Sequence, residues 1–362
     1  MVRLIRWLIR PDALIAFENE EIKSSLPRYI EVVENRKHAL FIVASRMEAR
    51  SWSSPEDAWA VHDELMDSFW DFLDEVDEEG LPPKPERSLL DLKAYLAREM
   101  LASCELCERR CGVNRLAGEL GFCRVGLKPR VASYFIHMGE EPPISPSGTI
   151  FFSSCNFRCV FCQNWDISQF PDSGDEVDPR ALAMIFERLR KSGARNINLV
   201  GGEPTPNMAP IIDALRLTEV NVPIIWNSNM YMTEKATKLL IGIIDLWLPD
   251  FKYWDDSHAL RLSSVKNYRE VVSRNIKMAY DARGEVVIRH LVLPNHVECC
   301  TKPILRWIAE NTPNALVNVM GQYRPEYKAS RYPEIARRPS RMEMAEAYAE
   351  AKRLGLRWES CS

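Results

Sequence analysis

From Gly148 onward, the chain alternates between short apolar, β-branched segments and longer segments with helical periodicity, and this alternation limits the possible folds. Six strands are predicted, at 148–153, 195–200, 222–227, 244–250, 285–292 and 315–320. Helices are predicted at 179–192, 206–218, 233–242, 268–282, 301–311 and 340–353. Strands that alternate with helices pair in parallel, so the sequence predicts an α/β protein with a parallel β/α barrel or an open sheet.

The segment before this alternation shows helical periodicity and no strand pattern. Helices are predicted at 27–49, 55–79 and 87–102, with a turn at 80–85 (GLPPKP) between the last two. We interpret residues 1–103 as a helical N-terminal extension, separable from the rest, that shapes or covers the mouth of the barrel. The other predicted regions are a cysteine-rich metal-binding segment at 104–147, the barrel at 148–335, and a C-terminal helix and tail at 336–362.

Net charge and hydropathy exclude two classes of partner. The formal net charge is −4, which argues against a nucleic-acid partner. Outside the N-terminus, the longest apolar stretch is 239–249, which Asp245 interrupts and which is too short to cross a bilayer. Ten cysteines clustered at metal-ligand spacings are typical of a reducing compartment. We therefore expect a cytoplasmic protein with no nucleic-acid or membrane partner.

The central motif is Cys155-Asn-Phe-Arg-Cys159-Val-Phe-Cys162, which directly follows the first predicted barrel strand. Three thiolates on one tight loop can ligate three irons of a [4Fe-4S] cubane and leave the fourth iron open to a further ligand. A zinc loop with a distant fourth ligand is the alternative, although zinc loops more often use paired C-x2-C motifs. The motif therefore favours an iron–sulfur site.

A second motif, Gly201-Gly202-Glu203-Pro204-Thr205, follows the second barrel strand. The glycines allow close backbone approach, and the carboxylate can accept hydrogen bonds from an ammonium group. Alone, this motif could be a tight strand-to-helix turn. Polar residues also lie in or after later strands, where β/α barrels carry their active sites. These residues are Asn227, Ser228, Asn229, Asp250, Lys252, Arg289, His290 and the segment 321–325.

Together the two motifs resemble the signature of the radical S-adenosylmethionine (SAM) superfamily. The segments NSNMY (227–231), LPDFKY (248–253), IRHLVLPNH (288–296) and VMGQYRP (319–325) resemble its pyruvate formate-lyase activating enzymes, especially the PflX type. The resemblance covers about residues 104–330 and implies a (β/α)6 partial TIM-type barrel. It also implies that Phe161 lies near the SAM adenine and that the GGE motif binds the SAM amino group. By the same resemblance, Ser228, Asp250, Lys252 and Arg289 line the SAM site.

The resemblance implies a function as well as a fold. A [4Fe-4S] cluster on Cys155, Cys159 and Cys162 would cleave SAM reductively to a 5′-deoxyadenosyl radical, which would abstract hydrogen from a protein or peptide. The electron would come from a one-electron reductant such as a flavodoxin or ferredoxin. A radical SAM enzyme acting on a small metabolite stays open as an alternative. So does a non-catalytic iron–sulfur or zinc protein that binds a partner.

The remaining cysteines divide into a possible metal site and residues with no assigned role. Four of them, Cys104, Cys107, Cys111 and Cys123, predict a second site for Zn²⁺ or a further [4Fe-4S] cluster, or four metal-free thiols, with glycines at 112, 118 and 121 allowing sharp turns before the last ligand. Cys299 and Cys300 are adjacent and cannot readily ligate one ion together, so we expect buried thiols. Cys361 is assigned no role. For His258 and His296, which have no partner at useful spacing, we expect a core or surface role.

Overall fold

The computed structural model describes residues 10–362, which contain a single eight-stranded sheet. Its strands are β1 (Arg130–His137), β2 (Ser147–Phe152), β3 (Asp175–Glu176), β4 (Ile197–Gly201), β5 (Ile224–Ser228), β6 (Leu246–Pro249), β7 (Glu285–Leu291) and β8 (Leu316–Met320). Six of them pair in parallel in the order β2-β4-β5-β6-β7-β8. The sheet is open, with β3 and β8 at its edges. The predicted partial barrel of six parallel strands is confirmed.

Fourteen α-helices accompany this sheet within residues 10–362. Before the sheet lie α1 (Pro11–Ile15), α2 (Glu20–Ser25), α3 (Pro27–Val33), α4 (Leu40–Ala44), α5 (Pro55–Glu79) and α6 (Leu89–Glu99). Between the strands lie α7 (Trp165–Ser168), α8 (Pro179–Lys191), α9 (Met208–Arg216), α10 (Glu234–Leu240), α11 (Asp256–Ser263), α12 (Tyr268–Asp281) and α13 (Lys302–Asn311), and α14 (Arg341–Arg353) follows. No helix in this part of the chain has the length and apolar character needed to cross a membrane.

Two strands extend the sheet beyond the predicted six. β1 pairs antiparallel with β2, and the two-residue β3 pairs antiparallel with β1. β1 lies within 104–147, where the sequence indicated only loops and metal ligands. The middle of β1 is exposed, including the aromatic residues Tyr134 and Phe135, so it lacks the apolar alternation that would have marked it as a strand.

The predicted helix at 27–49 is wrong as a single element, because α3 and α4 are separate helices. Between them, Asn35 adopts a left-handed backbone conformation with φ of 57°. The Arg28 guanidinium donates to the His38 carbonyl at 2.7 Å, and the Ala39 N–H donates to Asn221 Oδ1 at 2.9 Å. The break therefore depends on a residue nearly 200 positions away, which local periodicity cannot reveal.

Helices α3 and α4 contact the amino-terminal ends of the barrel strands. The cysteine loop and the GGE motif follow β2 and β4 at the opposite, carboxyl-terminal ends. Asp245, just before β6, accepts from the Leu40 N–H at 2.9 Å. Glu285, the first residue of β7, accepts from the N–H groups of Arg28 and Tyr29 at 2.6 and 2.8 Å. Helix α4 packs into the main hydrophobic core of the barrel, and α3 places Tyr29 and Ile30 in a second, smaller cluster with the strand residues Ile225 and Leu246. This part of the helical extension therefore lies at the end of the barrel opposite the mouth, and its separability from the barrel stays a prediction.

Candidate active site

The Cys155–Cys162 loop is held against the carboxyl-terminal end of helix α11. The Arg158 N–H donates to the Ser263 carbonyl at 3.0 Å, and the Val160 N–H donates to the Leu262 carbonyl at 2.9 Å. On the other side, the Lys328 N–H donates to the Val160 carbonyl at 2.8 Å. The backbone of the cysteine loop is therefore fixed by elements from two distant parts of the chain.

Each sulfur of this loop has a nearby hydrogen-bonding group. The Ser263 hydroxyl donates to Cys159 Sγ at 3.0 Å, and the Phe157 N–H donates to Cys155 Sγ at 3.3 Å. The Ser168 hydroxyl lies 3.2 Å from Cys162 Sγ. Hydrogen bonds to cluster sulfurs are one of the means by which a protein tunes a reduction potential.

The spacing of the three thiols fits a cluster better than a single ion. Among residues 10–362, only His258, Cys299 and Cys300 bring three ligand atoms within 4.8 Å of one another. The sulfurs of the cysteine loop are therefore more widely spaced, as expected for thiolates that each ligate a different iron of a cubane. Burial also raises the pKa of the Cys159 thiol to about 11, and the nearby Lys252 ammonium opposes that rise.

The two glycines of the second motif allow β4 to end directly against this loop. Gly201 has φ of 112°, and a Cβ atom there would lie 2.1 Å from the Phe152 nitrogen. A Cβ atom on Gly202 would lie 1.7 Å from the Ser154 carbonyl oxygen. The Gly202 N–H donates to the Phe152 carbonyl at 2.7 Å. Neither position can accept a side chain without moving the start of the cysteine loop.

The Glu203 side chain is buried and held by hydroxyl and amide donors. Its Oε1 accepts from the Ser228 hydroxyl at 2.6 Å and from the Thr205 hydroxyl and N–H at 2.5 and 3.2 Å. Among the described residues 10–362, its Oε2 accepts only from the Asn229 N–H, at 3.0 Å. Burial raises the pKa of this carboxyl, and these donors oppose the rise. Because each carboxylate oxygen has two lone pairs, Oε2 can still accept one further donor.

We expect Glu203→Gln to weaken SAM binding about tenfold or more, because a hydrogen bond to a charged group contributes roughly 1.5–3 kcal/mol. The amide N–H₂ of glutamine would also face the hydroxyl and N–H groups that now donate to the Glu203 carboxylate, and it could not accept from them. Titration of the reconstituted variant with SAM measures this effect, and the matched control is the exposed Glu219→Gln. Equal SAM affinity in the two variants would contradict the role of Glu203.

Two asparagines connect the motifs: Asn229, which the sequence analysis placed among the polar residues at the strand ends, and Asn156, to which it gave no role. Asn229 Nδ2 donates to Asn156 Oδ1 at 2.7 Å and lies 3.8 Å from Cys155 Sγ. The Asn229 N–H contacts Glu203, so this residue joins the cysteine loop to the carboxylate. Its position directly after a predicted strand was the available signal, whereas its contact with the first loop depends on tertiary structure.

The other predicted residues lie around this centre with identifiable partners. Lys252 forms a partly buried ion pair with Asp250. Burial alone would lower the pKa of Lys252, but Asp250 and the nearby Cys159 raise it, so the ammonium stays charged beside the cysteine loop. Phe161 is buried edge-on against Tyr253 and Tyr323, with ring centroids 6.5 and 5.7 Å away. Pro204 precedes the short helix Thr205–Asn207.

Arg289 lies in an acidic cluster on the cavity wall. Its Nε and Nη2 donate to the Glu141 carboxylate at 2.7 and 2.6 Å, and Nη2 also contacts Glu140. The Arg289 carbonyl accepts from the Phe251 N–H at 2.8 Å, next to Asp250. Its guanidinium is thus already paired with two carboxylates of the segment between β1 and β2.

A cavity of about 970 Å³ opens beside the cysteine loop. Gln163 and Asn164, directly after Cys162, contribute to its lining, as do Asn227 from β5 and Met320 from β8. Residues from α1, α2 and the segment 359–362 complete its outer wall, and several of them are exposed. The cavity is therefore open to solvent on the side where the sheet does not close.

The four upstream cysteines line a second, smaller cavity together with Arg115, Asn156 and Thr205. Their sulfurs have donors nearby: the Phe122 N–H lies 3.4 Å from Cys111 Sγ, and Arg115 Nη1 lies 4.0 Å from Cys104 Sγ. Burial raises the pKa of the Cys107 thiol to about 12, and a backbone hydrogen bond at Arg109 opposes that rise. Asn156 lines this cavity and also accepts from Asn229 beside Cys155. Asn156 thus faces both cysteine sets.

Comparison with known proteins identifies the family. The sequence model of the radical SAM superfamily matches residues 149–308, which include the cysteine loop and Glu203. The uncharacterized protein MJ0674 of Methanocaldococcus jannaschii is 42% identical over 340 residues, which are 91% of this chain and 98% of that protein. The chain belongs to the radical SAM superfamily. Membership implies a [4Fe-4S] cluster and SAM, and the cysteine loop and Glu203 described above fit both.

This radical SAM chain is also similar to a second relative and to two solved structures. The uncharacterized protein MJ0808 of the same organism is 27% identical over 213 residues, covering 53% of this chain and 61% of that protein. Streptococcus suis SuiB bound to precursor peptide SuiA has a TM-score of 0.45 and 12% identity, covering 86% of this chain and 66% of SuiB. A domain of pyruvate-formate lyase-activating enzyme from Bacteroides vulgatus has a TM-score of 0.32 and 16% identity, covering 50% of this chain and 89% of that domain.

Proposed function

We propose that this protein is an activating-enzyme-like radical SAM enzyme whose catalytic cluster is held by Cys155, Cys159 and Cys162. The observation that carries the proposal is the position of Asn229, which contacts both Cys155 Sγ and the buried Glu203 carboxylate. A cluster-binding loop and an ammonium-binding carboxylate are therefore neighbours. When bound, the cluster and SAM supply a 5′-deoxyadenosyl radical that abstracts hydrogen from the substrate.

The side chains around the cluster would position SAM. Glu203 would accept a hydrogen bond from the SAM ammonium through the free lone pair of Oε2. Lys252, still protonated in its pair with Asp250, supplies positive charge next to the cysteine thiolates. The buried ring of Phe161 gives the loop an apolar face on which adenine can pack. Each of these groups is held in place before SAM arrives.

We infer that the substrate is a protein or peptide segment that enters the open cavity. The cavity is polar at its outer wall, where Arg10, Asp12 and Glu18 lie, and the last two are exposed. A peptide brings backbone N–H and C=O groups that need polar partners when they leave water. The stretch after Cys162 is also exposed from Gln163 to Asp166, which leaves the cluster loop accessible to a one-electron reductant such as a flavodoxin or ferredoxin.

The test is anaerobic formation of 5′-deoxyadenosine with a chemical reductant, with and without fractions of a cell extract separated by size. We expect a macromolecular fraction to stimulate formation, and protease treatment of that fraction to remove the effect. Stimulation by the small-molecule filtrate alone would indicate a metabolite substrate. The triple variant Cys155→Ala/Cys159→Ala/Cys162→Ala should form no 5′-deoxyadenosine, and persistent formation in it would refute the catalytic site.

We also propose that Cys104, Cys107, Cys111 and Cys123 hold a second [4Fe-4S] cluster. All four line one cavity, yet within residues 10–362 no three of their sulfurs lie within 4.8 Å of one another. Tetrahedral zinc with Zn–S bonds of about 2.3 Å would place its sulfurs about 3.8 Å apart. The wider arrangement supports a cluster over a single ion.

The same triple variant tests the second site. It should retain about four iron atoms per chain, because the upstream set is a closed tetrathiolate independent of the catalytic loop. Elemental analysis measures this directly. Retention of about one zinc per chain would replace the cluster assignment with a zinc site, and the absence of bound metal would refute a second site.

A further inference from the structure

A third group of metal-ligating side chains lies away from both cysteine sets. One ligand atom each from His258, Cys299 and Cys300 lies within 4.8 Å of the other two. His258 is on α11, whereas the two cysteines are on a π-helical turn, Val297–Thr301, that follows β7. His258 and Cys299 are partly exposed and Cys300 is buried, so an ion could reach the group from solvent.

The distance between the two sulfurs matches that between ligands of one tetrahedral ion. Cys299 Sγ and Cys300 Sγ are 3.9 Å apart. Two sulfurs bound to one tetrahedral zinc at about 2.3 Å are separated by about 3.8 Å. A disulfide would instead need these sulfurs about 2.0 Å apart. Their adjacency therefore does not keep the two sulfurs from lying close enough for one ion, and His258 has neighbours in space that its sequence spacing did not indicate.

The π-helical turn accounts for this convergence. In it, the N–H groups of Cys300 and Thr301 both donate to the His296 carbonyl, at 3.0 and 3.1 Å. A single wide turn of this kind changes the direction of side chains relative to an α-helix, and such turns are frequent at functional sites. The sequence shows only two adjacent cysteines, and the helix type that orients them cannot be read from it.

The surroundings of the group are those of a metal site. Backbone hydrogen bonds at Asp255 and Trp254 reach the Cys300 sulfur. The His296 ring lies against His258, with ring centroids 4.5 Å apart, and His296 Nδ1 is 2.7 Å from the Pro294 carbonyl. That hydrogen bond makes Nδ1 the donor and leaves Nε2 as an acceptor. Outer groups of this kind orient metal ligands.

We propose that His258, Cys299 and Cys300 form a zinc site with one open coordination position. Two thiolates and one imidazole suit a borderline-soft ion such as Zn²⁺, and three protein ligands leave a fourth position for water or another ligand. The opposite end of α11 supports the cysteine loop through Leu262 and Ser263. A zinc ion on His258 would therefore anchor the helix that backs the catalytic loop.

Zinc content and coordination test this proposal in the anaerobically purified, cluster-loaded protein. After dialysis against a zinc-buffered solution, the wild type should carry about one more zinc per chain than Cys299→Ser/Cys300→Ser. Zinc K-edge absorption should assign that zinc two sulfur ligands and one imidazole nitrogen. His258→Ala should weaken zinc binding by at least ~100-fold, because losing even an outer-shell partner costs 10–100-fold.

The matched control is Cys361→Ser, which removes a buried cysteine outside the three groups and should keep the zinc. Iron content in every variant checks that the fold and clusters are intact, and the coordination measurement on the wild type does not depend on any variant. Equal zinc in the wild type and the double variant would overturn the proposal. The proposal would also be overturned if the wild type held no zinc and the mass of its Cys299–Cys300 peptide were lower by two hydrogens, which indicates a disulfide. None of these measurements depends on SAM, so the zinc site and the proposed SAM-cleaving activity can fail separately.

Discussion

Gly202→Ala is expected to leave the protein without its catalytic cluster and without detectable SAM cleavage. The new Cβ would lie 1.7 Å from the Ser154 carbonyl oxygen, and the next nearest atom, the Ser154 carbonyl carbon, would be 2.5 Å away. Both atoms belong to the backbone, so no side-chain rotation relieves the overlap. Either β4 or the residue immediately before Cys155 must move, and the movement displaces a cluster ligand, Glu203, or both.

Iron content and 5′-deoxyadenosine formation after anaerobic reconstitution measure the effect of this substitution. The matched control is Gly126→Ala, since a Cβ atom there meets nothing within 4 Å and the residue does not have a left-handed φ. We expect the control to keep wild-type iron and activity. If Gly202→Ala retained both, the close approach of β4 to the cysteine loop could not be a requirement of the site.

A chain that begins at residue 81 is expected to be insoluble or unable to assemble its clusters. The missing segment contains Phe41 and Phe69, which are fully buried in the core shared with the barrel. Each buried phenylalanine contributes roughly 1.5–3 kcal/mol, which is a large part of a typical total stability of about 5–15 kcal/mol. The buried Lys93 would also lose His62, whose Nε2 lies 3.0 Å from its ammonium nitrogen.

The truncation also removes donors from two buried carboxylates at the base of the barrel. Burial raises the pKa of Asp245 to about 6 and that of Glu285 to about 8, and backbone N–H groups at Leu40, Arg28 and Tyr29 oppose these rises. Without these donors, the Glu285 carboxylate would lose the hydrogen bonds from Arg28 and Tyr29, and Asp245 would keep the one from the Ile224 N–H at 2.8 Å but lose that from Leu40.

Co-expression of residues 1–80 with 81–362 provides the control, because the cut falls at the start of the turn 80–85, where several residues are exposed. We expect the added fragment to restore soluble protein and iron content. Soluble 81–362 that binds iron by itself would show that the helical segment is a separable module after all.

The parts of this structure that the sequence predicted depend on local patterns. The six parallel strands follow from alternating apolar segments, and the cysteine loop and GGE motif follow from spacing within a few residues. The features that were missed depend on contacts between distant residues. Asn221 fixes the break after α3, Asn229 reaches the cysteine loop from another strand, and His258 meets Cys299 and Cys300 across some 40 positions.

The outer wall of the cavity joins a segment that is synthesised early with one that is synthesised late. The Ser360 hydroxyl donates to Glu21 Oε2 at 2.8 Å, and Arg357 donates to the Ser25 hydroxyl at 2.7 Å. The cysteine loop and its supporting helix are complete once residue 264 has been added. At about 5–20 residues per second, the remaining residues take about 5–20 s to follow. A nascent chain can thus present Cys155, Cys159 and Cys162 before the outer wall of the cavity is complete, so the cysteine loop and this wall form at different times.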